Sequence, residues 1–463
     1  MASREAPSCI VLGAGLAGLS AAHQLSKMGW TVTVLEATKR AGGRVLSHRF
    51  LKNNKLVCEL GGEWIGNDHP QIRELCAEFK LDLEVHQFGF SFWTGVKGKR
   101  QRKYKPGDWP FSKKAERNYD RFGREFERRC DDEGWNRALD KLDWWTQLKK
   151  LKFTDQELLR RDLMDSTDFG ETTRVTSAYA AAGEYFDGDD SDEMDSKIIG
   201  GNDRLAKKLV RAIQAAGSSV HLRSRVTAVR QLLSNSKWAS KNSVQVRVAG
   251  RPKPYSADFC VCAVPAPCLN QIHWEPPLPD DKRVAADQLQ YARIVKTAVL
   301  YNNRFWKRWP FAGFSAFTGR VSDFCFDSTY LQEGEQGILC SYAIGDKADD
   351  VAAEPEVKNV EKWLTEDMLQ VVGGVQRRKV TALAVKRHPW QEDQFTGGAY
   401  ALYRPGEWFR IRPALARPYG RVRFAGEHIA DWQGFMEGAV VTGQEAAASL
   451  AESRAEEMAA PGH

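Results

Sequence analysis

No part of the chain constrains its fold as tightly as the stretch from Ser8 to Arg44. Cys9 to Leu12 is a short apolar run, Gly13-Ala14-Gly15-Leu16-Ala17-Gly18 follows it directly, and Leu19 to Met28 carries apolar residues at helical spacing. Past Gly29, Trp30 to Leu35 alternates as a strand does and ends on Glu36. Strand, turn, helix, strand and acid, in that order, make a dinucleotide-binding unit. A Gly-rich turn alone is a weak sign; the flanking elements and the acid make it specific.

Each residue type has a physical task there. Gly13 permits the tight turn, Gly15 lets a pyrophosphate approach bare backbone, and Gly18 lets helix and strand pack closely. The helix that opens at this point directs free N–H groups and a partial positive charge at the phosphates. Glu36, about 20 residues on, stands where a carboxylate accepts hydrogen bonds from ribose hydroxyls. Leu16 and Ala17 at the helix opening and Ala37 beside the acid belong to the same expected cofactor surface.

Gly42-Gly43-Arg44 extends the unit with flexible backbone and a guanidinium suited to a further phosphate contact. With GxGxxG, then an acid, then GGR, the chain resembles the FAD-containing amine oxidases: the monoamine oxidases, polyamine oxidases and L-amino acid oxidases. Phe395-Thr396-Gly397-Gly398-Ala399-Tyr400, Arg423-Phe424-Ala425-Gly426-Glu427 and Gly434-Phe435-Met436-Glu437-Gly438-Ala439 carry the resemblance to the C-terminal end. It implies an α/β fold in which a Rossmann-type FAD-binding domain is interleaved with an α+β substrate-binding domain. Residues 1–86, 198–279 and 390–452 are then the FAD-binding parts, 87–197 and 280–389 the substrate parts, and 453–463 a flexible tail.

Length and composition suit that scale. A chain of 463 residues can build two or three cores, and 15 Trp with 11% aromatic residues can furnish a large interior. The net charge of +7 is mild and both signs are mixed along the chain, so no nucleic-acid partner is expected. The basic run Lys97, Lys99, Arg100, Arg102, Lys103 and Lys105 is short, contains only Tyr104 among aromatics, and reads as a solvated hairpin tip. The nine cysteines are odd in number and unpaired in spacing, and the first residues carry no leader-like pattern, so a reduced, cytoplasmic protein is expected. Cys260, Cys262 and Cys268 have no nearby His and read as core cysteines rather than metal ligands. No run approaches the roughly 18 apolar residues of a membrane span. The Ala- and Glu-rich tail departs from the membrane anchor of the mitochondrial monoamine oxidases; a soluble enzyme is expected, with a homodimer left open.

Between the terminal motifs the signals are coarser. Leu51 to Gly66 reads as a hairpin-like return, and Ser112 to Leu163 as helices anchored by Phe122, Phe126, Trp135, Leu139, Leu142 and Trp145. Glu184, Asp187, Asp189, Asp190, Asp192, Glu193 and Asp195 crowd together. Such a run usually sits in water; the sharper alternative is a negative rim that draws in cationic amines. The strand carrying Val226 is expected within Ser219 to Val229, and the last helix is expected to reach about Leu450. Its N-terminal dipole would favour negative charge on a reduced flavin.

The resemblance also distributes roles. It puts Gly61, Gly62, Glu63 and Trp64 beside the isoalloxazine, Val226 against the adenine, and Trp390, Gly426, Glu427 and Met436 around the cofactor. Glu63 could repel a carboxylate or attract a second ammonium. Lys296 interrupts the apolar strand Ile294 to Leu300 and is costly to bury without a partner; related flavin oxidases hold a lysine at the matching position, through a water, near flavin N5. Tyr400 and Phe435 match the two rings that sandwich the amine in monoamine oxidases, one of which is usually Tyr where this chain has Phe. Ala399 stands where the mitochondrial enzymes have the cysteine bonded to the flavin, so the FAD is expected to be noncovalent. Trp64 stands where L-amino acid oxidases commonly have an arginine that grips the substrate carboxylate.

What this implies is an oxidase that turns an amine into an imine, then a carbonyl compound and ammonia, with O2 reduced to H2O2. An L-amino acid substrate stays open, Arg320 being an alternative source of the carboxylate clamp. So does a flavin-fold interaction protein without turnover.

Overall fold

The computed structural model describes residues 6–50, 56–93, 102–186, 195–232, 243–311, 313–318 and 321–459. β1 (Ser8–Leu12), α1 (Leu16–Lys27) and β2 (Thr31–Leu35) form at the N-terminus as their sequence pattern requires. They belong to a five-stranded sheet in the order Val422–Phe424, Phe259–Cys262, β1, β2, Ser219–His221, with every neighbouring pair parallel. Its strands read as nearly unbroken apolar runs because both faces are covered. Cys9, Val11, Val32 and Val34 point into one core, shared with α1 and the C-terminal helix Met436–Ala459. Ile10, Leu12, Cys260 and Cys262 point into the other.

Two glycines set how closely these layers approach. A Cβ on Gly18 would lie 2.1 Å from the Gly13 carbonyl oxygen, and one on Gly443 would lie 2.2 Å from that of Ala17. Contact between α1 and the C-terminal helix is therefore contact of backbone with backbone.

Ser219 to Val229 holds two strands rather than one. Arg223 adopts φ +52°, and the N–H groups of Arg223 and Ser224 bond to the carbonyls of Thr38 and Glu36 at 2.8 and 2.7 Å. The chain thereby turns across the end of β2. Val226–Gln231 then enters a separate four-stranded sheet with Tyr255–Ala257, Val244–Val248 and His273–Glu275.

The second lobe contains a seven-stranded sheet in which Ile294–Tyr301 is second from one edge. That strand is buried at every position and pairs antiparallel with both Gly337–Ile344 and Ala382–Pro389. Helices Lys113–Arg128, Glu133–Asp140, Trp144–Lys150, Asp155–Phe169 and Ala178–Phe186 pack around Phe122, Phe126, Leu139, Trp144 and Trp145. Four of them start at side-chain caps: Ser112, Asp132, Asp143 and Thr154 each accept a bond from the backbone three residues on.

Two further expectations are corrected. The C-terminal helix runs on to Ala459, so much of the expected tail is structured; Arg423 bonds Ser449 and Ser453 at 2.9 and 2.6 Å, and Arg421 pairs with Glu457 at 2.7 Å. Within the basic run, Lys103 lies over the Trp309 ring, 4.5 Å from its centre, rather than in open solvent. Cys58–Glu59, within the expected return, pairs antiparallel with Ser47–His48, which precedes it. Lys97, Lys99, Arg100, Asp187, Asp189, Asp190, Asp192, Glu193 and Arg320 lie outside the described residues. Among the described residues no helix is long and apolar enough to cross a membrane.

Candidate active site

The parallel strands end at a cavity of about 660 Å³. Gly13 and Gly15 follow β1, Glu36 and Ala37 follow β2, Ala263 to Pro265 follow Phe259–Cys262, and Gly426 follows Val422–Phe424; all border it. Open α/β sheets bind their ligands beyond the carboxyl ends of the strands in this way.

Local geometry at this end suits a pyrophosphate. Gly13 has φ +96°, and a Cβ there would press on the Ala263 carbonyl oxygen at 3.0 Å. A Cβ on Gly15 would meet nothing nearer than the Gly43 Cα at 4.0 Å, so this backbone faces open space. Gly15 caps α1 without a side-chain hydrogen bond, which leaves the first-turn N–H groups available to an anion. Glu36 accepts from the Ala14 N–H on one oxygen (2.7 Å) and from the Thr38 N–H on the other (2.8 Å). It is held in place with lone pairs to spare for a ribose.

The N- and C-terminal motifs meet in a side-chain pair. Arg44 donates to Glu427 at 2.5 Å, and Glu427 also takes the Gly434 N–H at 2.8 Å. Burial pushes the guanidinium down, and the Glu427 carboxylate more than reverses this, leaving Arg44 firmly charged. Gly61 threads behind it, since a Cβ there would overlap the Arg44 carbonyl oxygen at 1.9 Å, while Met436 closes on Gly62 and the Trp390 indole N–H bonds the Leu60 carbonyl at 2.7 Å.

Past Gly62 the same cavity continues as a chamber lined by Glu63, Trp64, Lys296, Tyr342 and Tyr400. Lys296 reaches in from Ile294–Tyr301; its Nζ donates to the Gly61 carbonyl at 2.9 Å and to Glu63 Oε2 at 3.0 Å. Burial lowers the basicity of this ammonium, but Glu63 outweighs burial and the net direction is upward. Glu63 Oε1 lies 3.4 Å from Lys197 Nζ. The carboxylate is therefore spent between two lysines and is not free to attract a second ammonium, which corrects the expectation from sequence.

Trp64 packs against Phe88 and Phe326 at 5.7 and 5.6 Å between ring centres. The Tyr400 hydroxyl donates to the Thr167 carbonyl at 2.8 Å. Phe435 meets His69 edge-on at 5.5 Å, and burial lowers that imidazole to about 4, so it is neutral. The Glu437 carboxylate takes the N–H groups of Gln71 and Ile72, both at 2.8 Å, and so fixes the start of the last helix beneath Phe435.

Every described residue named above for cofactor or substrate borders this cavity except Gly18, which packs on Gly13 instead. Sequence reasoning missed Asp168, Tyr185, Phe324 and Tyr342, which also border it, and Lys197 behind Glu63. Glu184 departs from its expected place in water: it faces the chamber, and its Oε2 is shut off from solvent and has no hydrogen-bond partner among the described residues. A signal was present, because Glu184 stands inside the small-residue helix Ala178–Phe186, apart from the acids that follow. Cys260 and Cys262 are core residues, whereas Cys268 borders the cavity.

Fold and cavity define a two-lobed dinucleotide-binding protein with a buried reaction chamber. The chain belongs to the flavin-containing amine oxidoreductase family, whose model matches residues 16–451. It is a flavin amine oxidase, and a flavin held at a dinucleotide-binding motif is FAD. L-amino-acid oxidase of Vipera ammodytes ammodytes is 27% identical over 465 residues, which cover 95% of this chain and 91% of that one. Among solved structures, putrescine oxidase bound to putrescine superposes with a TM-score of 0.81 at 22% identity, covering 97% and 99% of the two chains. Cyclohexylamine oxidase from Brevibacterium oxydans does so with a TM-score of 0.79 at 21% identity, covering 97% and 100%.

Proposed function

We propose that this protein oxidatively deaminates an amine that lacks an α-carboxylate, using noncovalent FAD and oxygen. Bound FAD would supply the two-electron chemistry, acceptance of a hydride equivalent from the carbon bearing the nitrogen and return of both electrons to O2 as H2O2, with water splitting the imine into a carbonyl compound and ammonia. The chain's own residues orient and enclose. Tyr400 and Phe435 supply ring walls for a neutral amine, and an apolar chamber favours the deprotonated form that reacts. The Lys296 ammonium, fixed by Gly61 and Glu63, supplies permanent positive charge beside the cofactor. Ala399 offers no thiol for a covalent link.

The observation that carries the substrate reading is the position of the guanidinium groups. Among the described residues bordering the cavity these are Arg40, Arg44 and Arg225. Arg40 bonds the carbonyls of Gly43 and Val45, Arg44 pairs with Glu427, and Arg225 adjoins Val226, so all three serve the dinucleotide end. Aromatic rings and carboxyls wall the chamber instead. A second reading, oxidation of an L-amino acid to a 2-oxo acid, is favoured by the likeness to the Vipera enzyme. Peroxide release from amines and from the L-amino acids bearing the same side chains separates the two: the proposal expects turnover of the amines and is overturned by turnover of the amino acids alone.

A further inference from the structure

We propose that Asp168 and Glu184 form a subsite for a second cationic group of the substrate, so that the preferred amine is a diamine or polyamine. This rests on the amine-oxidising reading above and sharpens it.

Asp168 lies near the end of helix Asp155–Phe169, and Glu184 and Tyr185 lie on Ala178–Phe186. Packing of the two helices brings both carboxyls to the chamber wall beside Thr167, whose carbonyl holds the Tyr400 hydroxyl. Among the described residues Asp168 receives only neutral donors, the Tyr185 hydroxyl at 2.8 Å and the Thr167 hydroxyl at 3.3 Å. Glu184 Oε2 is enclosed and has no partner among the described residues. The guanidinium whose charge acts on Asp168, that of Arg161, is already committed. It bonds Asp165 at 3.1 and 3.0 Å and the Tyr119 hydroxyl at 3.1 Å.

Three carboxyls, Asp165, Asp168 and Glu184, thus face one cation. Burial raises Asp168 to about 6, and it raises Glu184 well above its ordinary value with the charges of Asp168 and Asp165 adding to the effect. An ammonium seated against Asp168 and Glu184 relieves both. It cannot be the nitrogen that reacts, because that nitrogen needs its lone pair to expel the hydride and a carboxylate pair would keep it protonated. The second charge of a longer molecule satisfies all of these conditions.

The test compares holoenzyme kcat/KM for an α,ω-diaminoalkane with that for the n-alkylamine of the same chain length, and for L-lysine with that for L-norleucine, in wild type, E184Q and D168N. The expected result is a preference for the dibasic member of about tenfold or more in wild type, the scale of a charge-assisted hydrogen bond. The preference shrinks towards unity in the variants, through KM rather than kcat. Should either variant fold poorly, a bis(trimethylammonium)alkane, which has no oxidisable amine, supplies a second readout on wild type by inhibiting more tightly than its monocationic counterpart. Equal turnover and equal inhibition, or a preference that persists in both variants, overturns the subsite while leaving amine oxidation intact. A preference seen only between the two amino acids supports the subsite and overturns the carboxylate-free reading.

Discussion

Glu63 sits between Lys296 and Lys197 with almost no access to water, and its removal leaves two buried ammonium groups facing one another. Glu63→Gln is expected to destabilise the holoenzyme by about 3–5 kcal/mol, the penalty of breaking a buried ion pair from one side, as read by denaturant unfolding. Lys296→Met is milder for stability because Glu63 keeps Lys197, but it removes the charge proposed to lie beside the flavin. Its reduced form is expected to react with O2 about a hundredfold more slowly in stopped flow, with reduction by substrate far less affected; equal slowing of both steps would count against the role. Asp168 gives a pH signature. Its folded-state value is raised from 3.8 to about 6, so the unfolded chain loses this proton first as pH rises. Stability without substrate therefore falls from 3.8 to about 6 and stays lower above. Asp165 and Glu59, both raised to about 7 by burial, act in the same direction. Asp168→Asn should flatten the lower part of this curve in thermal melts across that range; an unchanged slope contradicts it. At this scale Lys296 was legible because a lysine inside an apolar strand demands a partner. Lys197, in the buried strand Ser196–Ile198, carries the same signal in too short a run to be noticed.

Among the elements, those with local grammar were the readable ones. β1, α1 and β2 follow from apolar period, glycine placement and the terminal acid, and the helices of the second lobe from their apolar spacing and aromatic anchors. The break at Arg223 was not legible, since it depends on hydrogen bonds to Thr38 and Glu36 far away in sequence. Nor was the meeting of Glu184 with Asp168, which needs two helices to pack; in sequence Glu184 looks like the first of a charged run. The close crossing of α1 with the C-terminal helix can be probed with two glycines. Gly443→Ala drives a methyl to within 2.2 Å of the Ala17 carbonyl oxygen and is expected to destabilise by about 1–3 kcal/mol. A methyl on Gly183, inside Ala178–Phe186, meets nothing within 4 Å, so Gly183→Ala is expected to stabilise by about 0.5–1 kcal/mol. Melting temperatures of the two variants that moved in the same direction would contradict the packing argument.

At the scale of the whole molecule, one cavity is built from segments far apart in the chain. The Arg44–Glu427 pair, joining positions 383 residues apart, ties its two ends together. A cofactor seated there is a structural member as well as a reagent, so stripping the FAD should lower the melting temperature and adding it back should restore it. Acid precipitation should release the yellow colour to the supernatant, because Ala399 offers no bond to the flavin. Colour retained in the pellet would show a covalent link. The terminal motifs made this architecture legible, whereas the shape of the substrate chamber depends on Trp64, Phe326, Tyr342, Asp168 and Glu184, which no single motif contains. The account is tested most directly by anaerobic addition of n-alkylamines and α,ω-diaminoalkanes to the yellow holoenzyme. It predicts that the flavin colour bleaches and returns with H2O2 when air is admitted. Protein that takes up no FAD, or a flavin that no amine bleaches, would contradict it.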